Sequence, residues 1–364
     1  MSGYGAEGFL SMLLPLLQSG GAEVAVLTVY PPGITDEQRA TIGATILSAN
    51  RKQPLNVSFI GRMASMVKRW KPHIVHTHTH NGKYWGRLVA SMVGVPILLH
   101  TEHNPCDTRR TLVERLADRR LNDRTDLIIT FTRLQGMHLA RLEGFPERKV
   151  RVIPNGIRHR PPPDETQRRA GRARLGVGEH EFAVLVVGRL EEQKNQQLAL
   201  RAVRELGDEA RRRITVFFVG GGSDEPSLRS LADNLGVNAS VRFFGFRADL
   251  PSLLPGADLL LMTSLFEGMP LAAIEAMSAG IPVATTPWVG AQEMFAHGRA
   301  ANIACDWEPA AIGQVVATAM STPLDLARIA DVGQRLARTE YDIGTCAMRH
   351  MEMYQTAFAG VSKR

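Results

Sequence analysis

Short apolar segments alternate along the whole chain with longer segments in which apolar residues recur at helical spacing. The short runs are rich in leucine and β-branched residues, and their continuous apolarity is typical of strands covered on both faces. In the first half we expect strands at 23–29, 55–60, 73–78, 96–101, 126–131 and 150–153. In the second half we expect strands at 182–188, 214–220, 240–245, 258–264 and 282–286. This alternation predicts an α/β fold of doubly wound parallel sheets joined by crossover helices.

A segment dense in proline, arginine and polar residues, 154–172, separates the two halves and is typical of a linker. We therefore expect an N-terminal domain at 1–155, a C-terminal domain at 156–340 and a final helix at 341–364 that packs back toward the first domain. Two such domains face each other across a cleft, and ligands of doubly wound sheets bind at the carboxyl ends of the strands.

The chain opens on the glycine-rich turn SGYGAEG, whereas a doubly wound domain usually opens on a strand. Either the sequence begins late or the N-terminal sheet lacks a strand, and we favour the first interpretation. The apolar run FLSMLLPLL that follows has no basic residue before it, contains Pro15 and lacks a small-residue cleavage site. It therefore predicts a core helix and not a signal peptide.

Composition narrows the class of protein. A length of 364 residues with 44% hydrophobic and 22% charged residues is typical of a soluble protein with two domains. The three cysteines, Cys106, Cys305 and Cys346, have no paired spacing, so neither a disulfide framework nor a zinc site is indicated. No apolar segment approaches the roughly 20 residues of a membrane span. We expect a cytoplasmic protein.

The positive charge is concentrated in one half of the chain. The formal net charge is +7, yet residues 50–175 alone hold 25 Lys and Arg against 10 Asp and Glu. This excess indicates either a solvated basic face or binding to an anionic membrane surface; no motif for binding nucleic acid accompanies it. Peripheral association with the inner face of the cell membrane would suit a lipid-linked substrate.

Two basic helical segments could form such a surface. Residues 61–71 place Met63, Met66, Val67 and Trp70 on one face, with lysine and arginine beside them. A helix packed on its sheet explains this pattern better than a membrane-contact helix does. The segment that begins at Arg109 adds six arginines, which are either solvated or available to anionic lipids.

The turn after the first strand of the second domain carries two cations. Arg189 and Lys194 stand at the head of a helical pattern, where the helix N-terminus already favours anions. An arginine fork and a lysine point charge beside it predict a diphosphate site. The alternative is a solvated pair of cations bound to the nearby Glu191, Glu192 or Glu205.

The stretch FEGMPLAAIEAMSAG sets Glu267 and Glu275 at the two ends of an apolar or helix-breaking segment. A buried carboxylate requires hydrogen-bond donors, and eight residues of mostly helical rise span about 12 Å. That length matches the separation of the two sugars of a nucleotide sugar, so both carboxylates can bind sugar hydroxyls. The alternative for Glu275 is an ion pair with a buried arginine.

Four motifs in this order resemble the retaining family 4 glycosyltransferases of the GT-B fold. They are the turn SGYGAEG, VIPNGI at the domain junction, VGRL followed by a lysine, and a Glu-x7-Glu pair. The resemblance covers nearly the whole chain. It implies two Rossmann-like domains and the transfer of a hexose from a nucleoside-diphosphate sugar to a carbohydrate or lipid-linked acceptor, in polysaccharide or glycolipid assembly.

The resemblance also implies roles for residues of the second domain. Arg189 and Lys194 match the diphosphate-binding pair, Glu275 the ribose-binding carboxylate and Glu267 a catalytic carboxylate at the transferred sugar. The backbone that contacts sugar and phosphate is formed by Gly268, Met269, Pro270 and Leu271. Phe246 lies in 243–250, where the base is held, and Glu293 lies on a second loop that faces the cleft.

In the first domain, Gly3 and Gly5 match the glycine loop that meets the diphosphate from across the cleft, although Tyr4 departs from the family's usual GGAE. His103 matches the family's catalytic histidine near the reacting centre.

Members of the family are usually metal-independent and use no cofactor besides the nucleotide sugar. We find no Asp-x-Asp after an apolar strand, and the alternating His76, His78 and His80 lack an acidic companion, so we expect them to line the cleft or the core and not to bind a metal. Two other functions remain open from the sequence. They are a sugar-nucleotide epimerase of the same fold and a non-catalytic nucleotide-sugar-binding protein.

Overall fold

The computed structural model describes residues 5–32, 35–53, 57–103 and 111–361. The chain divides into two compact units. The first unit consists of Met1–Arg158 together with Tyr341–Arg364, and the second unit is His159–Glu340.

The first unit contains two parallel sheets. Its strands are β1 (Ala25–Thr28), β2 (Thr45–Ser48), β3 (Ile74–His78), β4 (Ile97–Thr101), β5 (Leu127–Thr130) and β6 (Val150–Val152). β1 pairs with β2, and the other four follow one another in the order β3-β4-β5-β6. The helices are α1 (Ala6–Ser19), α2 (Asp36–Ile42), α3 (Ser58–Trp70), α4 (Thr79–Asn81), α5 (Arg87–Val93), α6 (Leu112–Arg124), α7 (Arg133–Glu143) and, at the C-terminus, α17 (Ile343–Val361).

The second unit contains one parallel sheet of six strands in the order β12-β11-β10-β7-β8-β9. The strands are β7 (Phe182–Val187), β8 (Ile214–Val219), β9 (Val241–Gly245), β10 (Leu259–Met262), β11 (Val283–Thr285) and β12 (Asn302–Ile303). The helices are α8 (Glu165–Leu175), α9 (Gln196–Glu205), α10 (Asp208–Arg213), α11 (Glu225–Leu235), α12 (Leu250–Leu253), α13 (Leu271–Ser278), α14 (Ala291–Met294), α15 (Pro309–Ser321) and α16 (Pro323–Glu340).

Apolar strands form the centre of the second unit because every residue of β8 and β10 is buried. Helix α9 adds Leu198, Ala199, Ala202 and Val203 to the same core. Burial on both faces explains why these strands read as unbroken apolar runs in the sequence.

The predicted strand at 55–60 is wrong, and two strands were not predicted. Residues from Ser58 onward form α3, in which Phe59, Met63 and Val67 are buried. Their spacing of four residues follows the helical period, so the helix buries an apolar stripe that an isolated strand would leave half exposed. The unpredicted strands are β2 and β12, which have only four and two residues. The run FLSMLLPLL forms the core helix α1, as predicted, and buries Phe9, Leu13, Leu14 and Leu17.

The C-terminal helix belongs to the first unit. Helix α17 contacts α1 and β4. Just before α17, the chain pairs with the end of Met1–Arg158. The Ile157 N–H donates to the Tyr341 carbonyl at 2.9 Å, and the Ile343 N–H donates to the Ile157 carbonyl at 3.0 Å. Gly156 allows this approach, since a Cβ at that position would lie 2.7 Å from the Asp342 carbonyl oxygen.

Charged side chains occupy part of the interior of the first unit. Lys83 Nζ lies 2.6 Å from Glu102 Oε2 and 2.7 Å from Glu143 Oε1. One turn further along, the fully buried Arg87 donates to Asn122 Oδ1 at 2.7 Å and lies 3.4 Å from Asp118 Oδ1. Burial alone would raise the pKa of Glu102, but Lys83 and His100 outweigh it and hold that pKa well below its usual value. We call these residues, with Asn122, the buried ion network.

Candidate functional site

The strand order of the second unit reverses between β7 and β10. From β7 the chain proceeds outward through β8 and β9, whereas from β10 it proceeds the other way through β11 and β12. Loops that follow two such adjacent strands diverge and leave a crevice, which is where doubly wound sheets bind ligands. Arg189 and Lys194 follow β7, and Glu267 follows β10. The structure therefore places these predicted residues at the switch point of the sheet.

Lys194 and Glu267 meet directly. The ammonium Nζ lies 2.6 Å from Glu267 Oε1, and the Ser264 hydroxyl donates to the same oxygen at 2.5 Å. The side chain of Glu267 is 5% exposed and that of Lys194 is 21% exposed. The side chain of Lys194 is therefore the more accessible of the two to a ligand.

Further hydrogen bonds hold the two loops together. The Leu265 N–H donates to the Gln193 carbonyl at 2.9 Å, and the Gln193 side-chain amide donates to the Phe266 carbonyl at 3.0 Å. The Thr263 hydroxyl donates to the Lys194 carbonyl at 3.1 Å. These bonds fix the backbone on both sides of the ion pair and hold Lys194 and Glu267 in place.

Glycines permit the close approach of the neighbouring turns. A Cβ on Gly220, just after β8, would lie 1.9 Å from the Gly188 carbonyl oxygen. A Cβ on Gly222 would lie 2.1 Å from the Leu190 carbonyl oxygen. Side chains at these positions would push the turn that carries Arg189 away from the adjacent strand end.

Arg189 is not brought to the ion pair. Its guanidinium lies 2.7 Å from Glu191 Oε1, and its side chain is 71% exposed. Within the described residues this is the pairing with Glu191 that the sequence offered as the alternative. The backbone of Arg189 is nevertheless fixed, because Gln196 donates its side-chain amide to the Arg189 carbonyl at 2.7 Å.

The start of α13 presents backbone donors beside Glu267. Pro270 is the N-cap residue, and the N–H groups of Ala273 and Ile274 both donate to its carbonyl. The N–H groups of Leu271 and Ala272 have no acceptor within the described part of the chain, as is usual in a first helical turn. Pro270 has no N–H, so it shapes the turn and cannot contribute the amide that was expected of residues 268–271 as a whole.

Glu275 lies in the second turn of α13 and is half-buried. Within ranges 5–32, 35–53, 57–103 and 111–361 its carboxylate forms no ion pair and accepts no hydrogen bond, so the pairing with a buried arginine is not seen there. Burial raises the pKa of Glu275 to about 7, and the positive charge of Arg160 opposes the shift only in part. Donors from a ligand would restore the ionised form, because hydrogen bonds to a carboxylate lower its pKa.

Two other predicted residues of the second unit lie on separate segments of the chain. Phe246 follows β9 and is 58% exposed. Glu293 is part of the short helix α14, which follows β11.

The predicted residues of the first unit are placed as follows. His103 lies two residues after the end of β4 and is half-buried, and its Nε2 lies 3.1 Å from His78 Nδ1. Burial lowers the pKa of His103 to about 4, so the ring is neutral at pH 7. Gly5 precedes α1 with φ of 80°, which is a backbone conformation that favours glycine. Gly3 lies outside the described residues. That His103 and the glycine turn face the donor site stays a prediction.

The three alternating histidines do not share one strand face. The rings of His76 and His78 lie 4.3 Å apart on β3, but His80 lies in α4, with its ring 4.9 Å from that of Tyr84. His76 bonds Tyr354 at 2.7 Å and Thr101 at 2.8 Å. Among the residues that the structure describes, no cluster of three or more histidine, cysteine or acidic side chains could hold a metal ion.

Sequence reasoning missed Ser264 and Gln193. Both residues support the predicted Glu267. Ser264 donates a hydrogen bond to its carboxylate, and Gln193 donates one to the backbone of the loop that precedes Glu267. The available signal was position, because Ser264 ends the predicted strand 258–264, three residues before Glu267, and Gln193 directly precedes Lys194.

The chain matches two protein families over nearly its whole length. Residues 4–160 match the family described as Glycosyltransferase Family 4. Residues 167–335 match Glycosyl transferases group 1.

Curated relatives include two enzymes that are 30% identical to this chain. One is the UDP-Gal:alpha-D-GlcNAc-diphosphoundecaprenol alpha-1,3-galactosyltransferase of Escherichia coli, over 62% of this chain and 62% of that protein. The other is a D-inositol 3-phosphate glycosyltransferase of Streptomyces scabiei, over 75% of this chain and 67% of that protein. The chain therefore spans somewhat under two thirds of the first relative and two thirds of the second.

Solved structures share the fold. The complex of Anabaena Alr3699/HepE with UDP-glucose superposes with a TM-score of 0.82 at 20% identity, covering 95% of this chain and 96% of that one. WaaG, a glycosyltransferase involved in lipopolysaccharide biosynthesis, superposes with a TM-score of 0.76 at 18% identity, covering 96% of both chains. The predicted α/β fold, with two domains of parallel sheets flanked by helices, is confirmed.

Proposed function

Since the chain belongs to the glycosyl transferases group 1 family, we propose that it transfers a hexose from a nucleoside-diphosphate sugar to a carbohydrate or lipid-linked acceptor. We propose further that the anomeric configuration is retained and that no metal ion takes part. Family membership follows from the two family matches, which together extend from residue 4 to residue 335.

The observation that carries this proposal is the Lys194–Glu267 pair at the switch point of the second sheet. A cation and a carboxylate 2.6 Å apart, held by Ser264 and by loop-to-loop hydrogen bonds, offer two kinds of contact at one place. The cation suits a phosphate oxygen, and the carboxylate suits the hydroxyls of a sugar. A nucleotide sugar carries both groups on adjacent atoms.

Lys194 and Arg189 then neutralise the departing diphosphate. Lys194 is already in position, whereas Arg189 must leave Glu191 and turn toward the phosphates. An exposed ion pair of this kind is worth about 0–1 kcal/mol, so the exchange costs little. The N–H groups of Leu271 and Ala272 add dipoles at the start of α13. These groups together support a departure of diphosphate without a divalent cation.

Glu275 binds the ribose hydroxyls in this proposal. Its carboxylate has a pKa of about 7 in the free protein and lacks a hydrogen-bonding partner among the described residues. Two hydroxyl donors would stabilise the ionised form, so donor binding releases a proton near neutral pH. Affinity for the donor should therefore rise as the pH increases through about 7.

In the chemical step, the acceptor hydroxyl oxygen forms a bond to the anomeric carbon while the bond from that carbon to the phosphate oxygen breaks. The leaving phosphate takes the hydroxyl proton, so the products are the glycoside and the nucleoside diphosphate. No enzyme nucleophile is needed. Retention then requires the acceptor hydroxyl to attack the face of the anomeric carbon from which the phosphate departs. Holding the two reactants in that arrangement can supply about 7 kcal/mol of the acceleration.

The names of the relatives support a choice of substrates to test first. A UDP-sugar is named for both the Escherichia coli relative and the Anabaena structure. The named acceptors are a lipid diphosphate in one relative and an inositol phosphate in the other. We propose a lipid-linked acceptor and a location at the inner face of the cell membrane. Within the described residues no helix is long and apolar enough to cross a bilayer.

The test is a thermal-shift screen of UDP, GDP and ADP sugars, followed by assays of donor hydrolysis and transfer. One donor should raise the melting temperature by mass action and be consumed. Lys194→Ala and Glu275→Ala should each lower kcat/KM by an amount equivalent to about 1–3 kcal/mol. Lys68→Ala, on an exposed position of α3, is the matched control. Unchanged activity in both site variants would refute the assignment.

A further inference from the structure

Helix α6 has its polar residues inside and its large apolar residues outside. The buried residues of this helix are Asp118 and Asn122. Leu112, Val113 and Leu116 are 73%, 76% and 55% exposed. A helix of a water-soluble protein normally shows the opposite arrangement, because burying apolar side chains drives its packing.

The buried ion network fixes this orientation. Arg87 donates to Asn122 at 2.7 Å and pairs with Asp118, while Asn122 donates its side-chain amide to Glu143 Oε2 at 3.0 Å. At the start of the helix, Thr111 and Glu114 form a capping box. The helix therefore cannot roll its leucines inward without exposing or unpairing buried charges.

Arginines surround the exposed apolar residues. Arg115, Arg119, Arg120 and Arg124 lie on α6 and are all exposed. None of them forms an ion pair within the ranges that the structure describes, and Asp123 is the exposed acidic residue of this helix. At 100° per residue, Leu112 and Leu116 lie on the side opposite Asp118, and Arg119 and Arg120 flank the same side one turn later. The surface thus combines exposed apolar residues at the start of the helix with exposed arginines along the rest of it.

We propose that this surface, Leu112–Arg124, docks the first unit on an anionic lipid bilayer. The three apolar side chains enter the boundary between headgroups and acyl chains, and the arginines bind lipid phosphates. Charge complementarity favours lipid as the occupant, because a bilayer offers phosphates over the whole width of the arginine cluster. The inference adds a docking surface to the proposed function, from which it takes the lipid-linked acceptor.

Helix α3, the other basic helix of the first unit, does not fit this role. Its apolar residues Phe59, Met63 and Val67 are buried, so Lys68 and Arg69 offer charge without such exposed apolar residues. The two helices therefore provide a matched comparison of similar charge on one unit.

The experiment is co-sedimentation of the full chain with vesicles, without donor or acceptor. Vesicles of equal parts phosphatidylcholine and phosphatidylglycerol should bind the protein, and pure phosphatidylcholine should bind it much less. A triple variant, Leu112→Ser, Val113→Ser and Leu116→Ser, should bind the anionic vesicles at least about tenfold more weakly. A double variant, Arg119→Glu and Arg120→Glu, should lose at least about tenfold as well, and raised salt should weaken the wild type.

Two control variants should bind as the wild type does. They are Leu324→Ser, which changes a leucine that is 87% exposed in the second unit, and the α3 double variant Lys68→Glu and Arg69→Glu. Circular dichroism and thermal unfolding verify that all variants are folded. Donor stabilisation by a UDP-sugar is measured in parallel, so a failure of the proposed function is separated from a failure of docking.

Three results of the co-sedimentation experiment would overturn the proposal. They are no binding of the wild type to anionic vesicles, equal binding by the α6 variants, or loss of binding in the α3 variant. A concentration-dependent dimer without lipid that the triple serine variant abolishes would assign the surface to a second copy of the chain and would also overturn it.

Discussion

The two units treat buried charge in different ways. In the first unit, Lys83 contacts two carboxylates at 2.6 and 2.7 Å, and Arg87 has both an acidic and an amide partner. In the second unit, Glu275 is half-buried with no partner among the described residues, and burial raises its pKa to about 7. In the first unit the buried charges are paired with one another, and we call this arrangement closed. In the second unit the carboxylate of Glu275 has no such partner among the described residues, and we call this arrangement open.

This difference separates charges that hold the fold from charges that serve a ligand. Removing one partner from a closed pair leaves an uncompensated charge, which is strongly destabilising. An open carboxylate already destabilises the free protein, and proteins commonly accept such a cost where a ligand later relieves it. The following variants test the distinction by their effects on stability and on catalysis.

The largest effect is expected for Lys83→Met. The variant leaves Glu102 and Glu143 buried without their shared cation. The free energy of unfolding should fall by about 3–5 kcal/mol. Urea denaturation measures it, and Lys68→Met on the exposed face of α3 should change it by less than about 0.5 kcal/mol. A loss below about 1 kcal/mol would mean that the network is not closed in the way described.

Glu275→Gln should raise the free energy of unfolding at high pH, whereas Lys83→Met should lower it. The folded-state pKa of about 7 exceeds the ordinary value of 4.5, so between these values the folded state binds more protons than the unfolded state does. The stability of the wild type should therefore decrease as the pH rises through this window. At pH 8 the glutamine variant should be more stable by about 2–4 kcal/mol, and at pH 4 the two should be equal.

Denaturation at several pH values, combined with donor affinity, checks this prediction. The stabilised variant should bind donor more weakly. Glu205→Gln, which changes an exposed carboxylate of α9, is the control. A pH-independent difference between Glu275→Gln and the wild type would show that Glu275 is not the group responsible.

Ser264→Ala should have an intermediate effect on catalysis. Its hydroxyl donates to Glu267 Oε1 at 2.5 Å, and a hydrogen bond to a charged group contributes about 1.5–3 kcal/mol. We expect kcat/KM to fall by about tenfold to a hundredfold, while Ser230→Ala on the exposed face of α11 should be neutral. A rise in KM alone, with kcat preserved, would argue against a role at the reacting sugar.

The smallest effect on stability is expected for Arg189→Ala. Its side chain is 71% exposed, and its ion pair with Glu191 lies on the surface. Unfolding free energy should change by less than about 0.5 kcal/mol. The affinity for the donor diphosphate should nevertheless fall, as measured by calorimetry with UDP. Unchanged affinity would leave Lys194 as the diphosphate cation and exclude Arg189.

Much of the fold follows from local sequence patterns. Continuous apolar runs predicted ten strands that contain β1, β3–β6 and β7–β11. Both faces are covered in β4, β8, β10 and β11, in which every residue is buried. The segment 55–60 was misassigned because a six-residue window cannot distinguish a strand from a helix start. The stripe of Phe59, Met63 and Val67 becomes visible only over a longer window. Strands β2 and β12 are too short to show a pattern.

The sequence identified several residues of the site but not the ion pairs that their side chains form. Motif order pointed to Lys194 and Glu267, and the switch point explains why they meet although 73 residues separate them. The preference of Arg189 for Glu191 depends on side-chain geometry that no motif encodes. The buried ion network was invisible as well, since Lys83 finds its partners 19 and 60 residues away.

The pairing of Ile157 with the segment around Asp342 makes the second unit a topological insertion within the first. The backbone leaves at residue 158 and returns at residue 341, at two points already joined by hydrogen bonds. Deleting residues 159–340 and joining residues 158 and 341 by a short glycine-rich loop should therefore yield a domain that folds on its own. Truncating the chain after residue 340 should instead remove helix α17 from that domain.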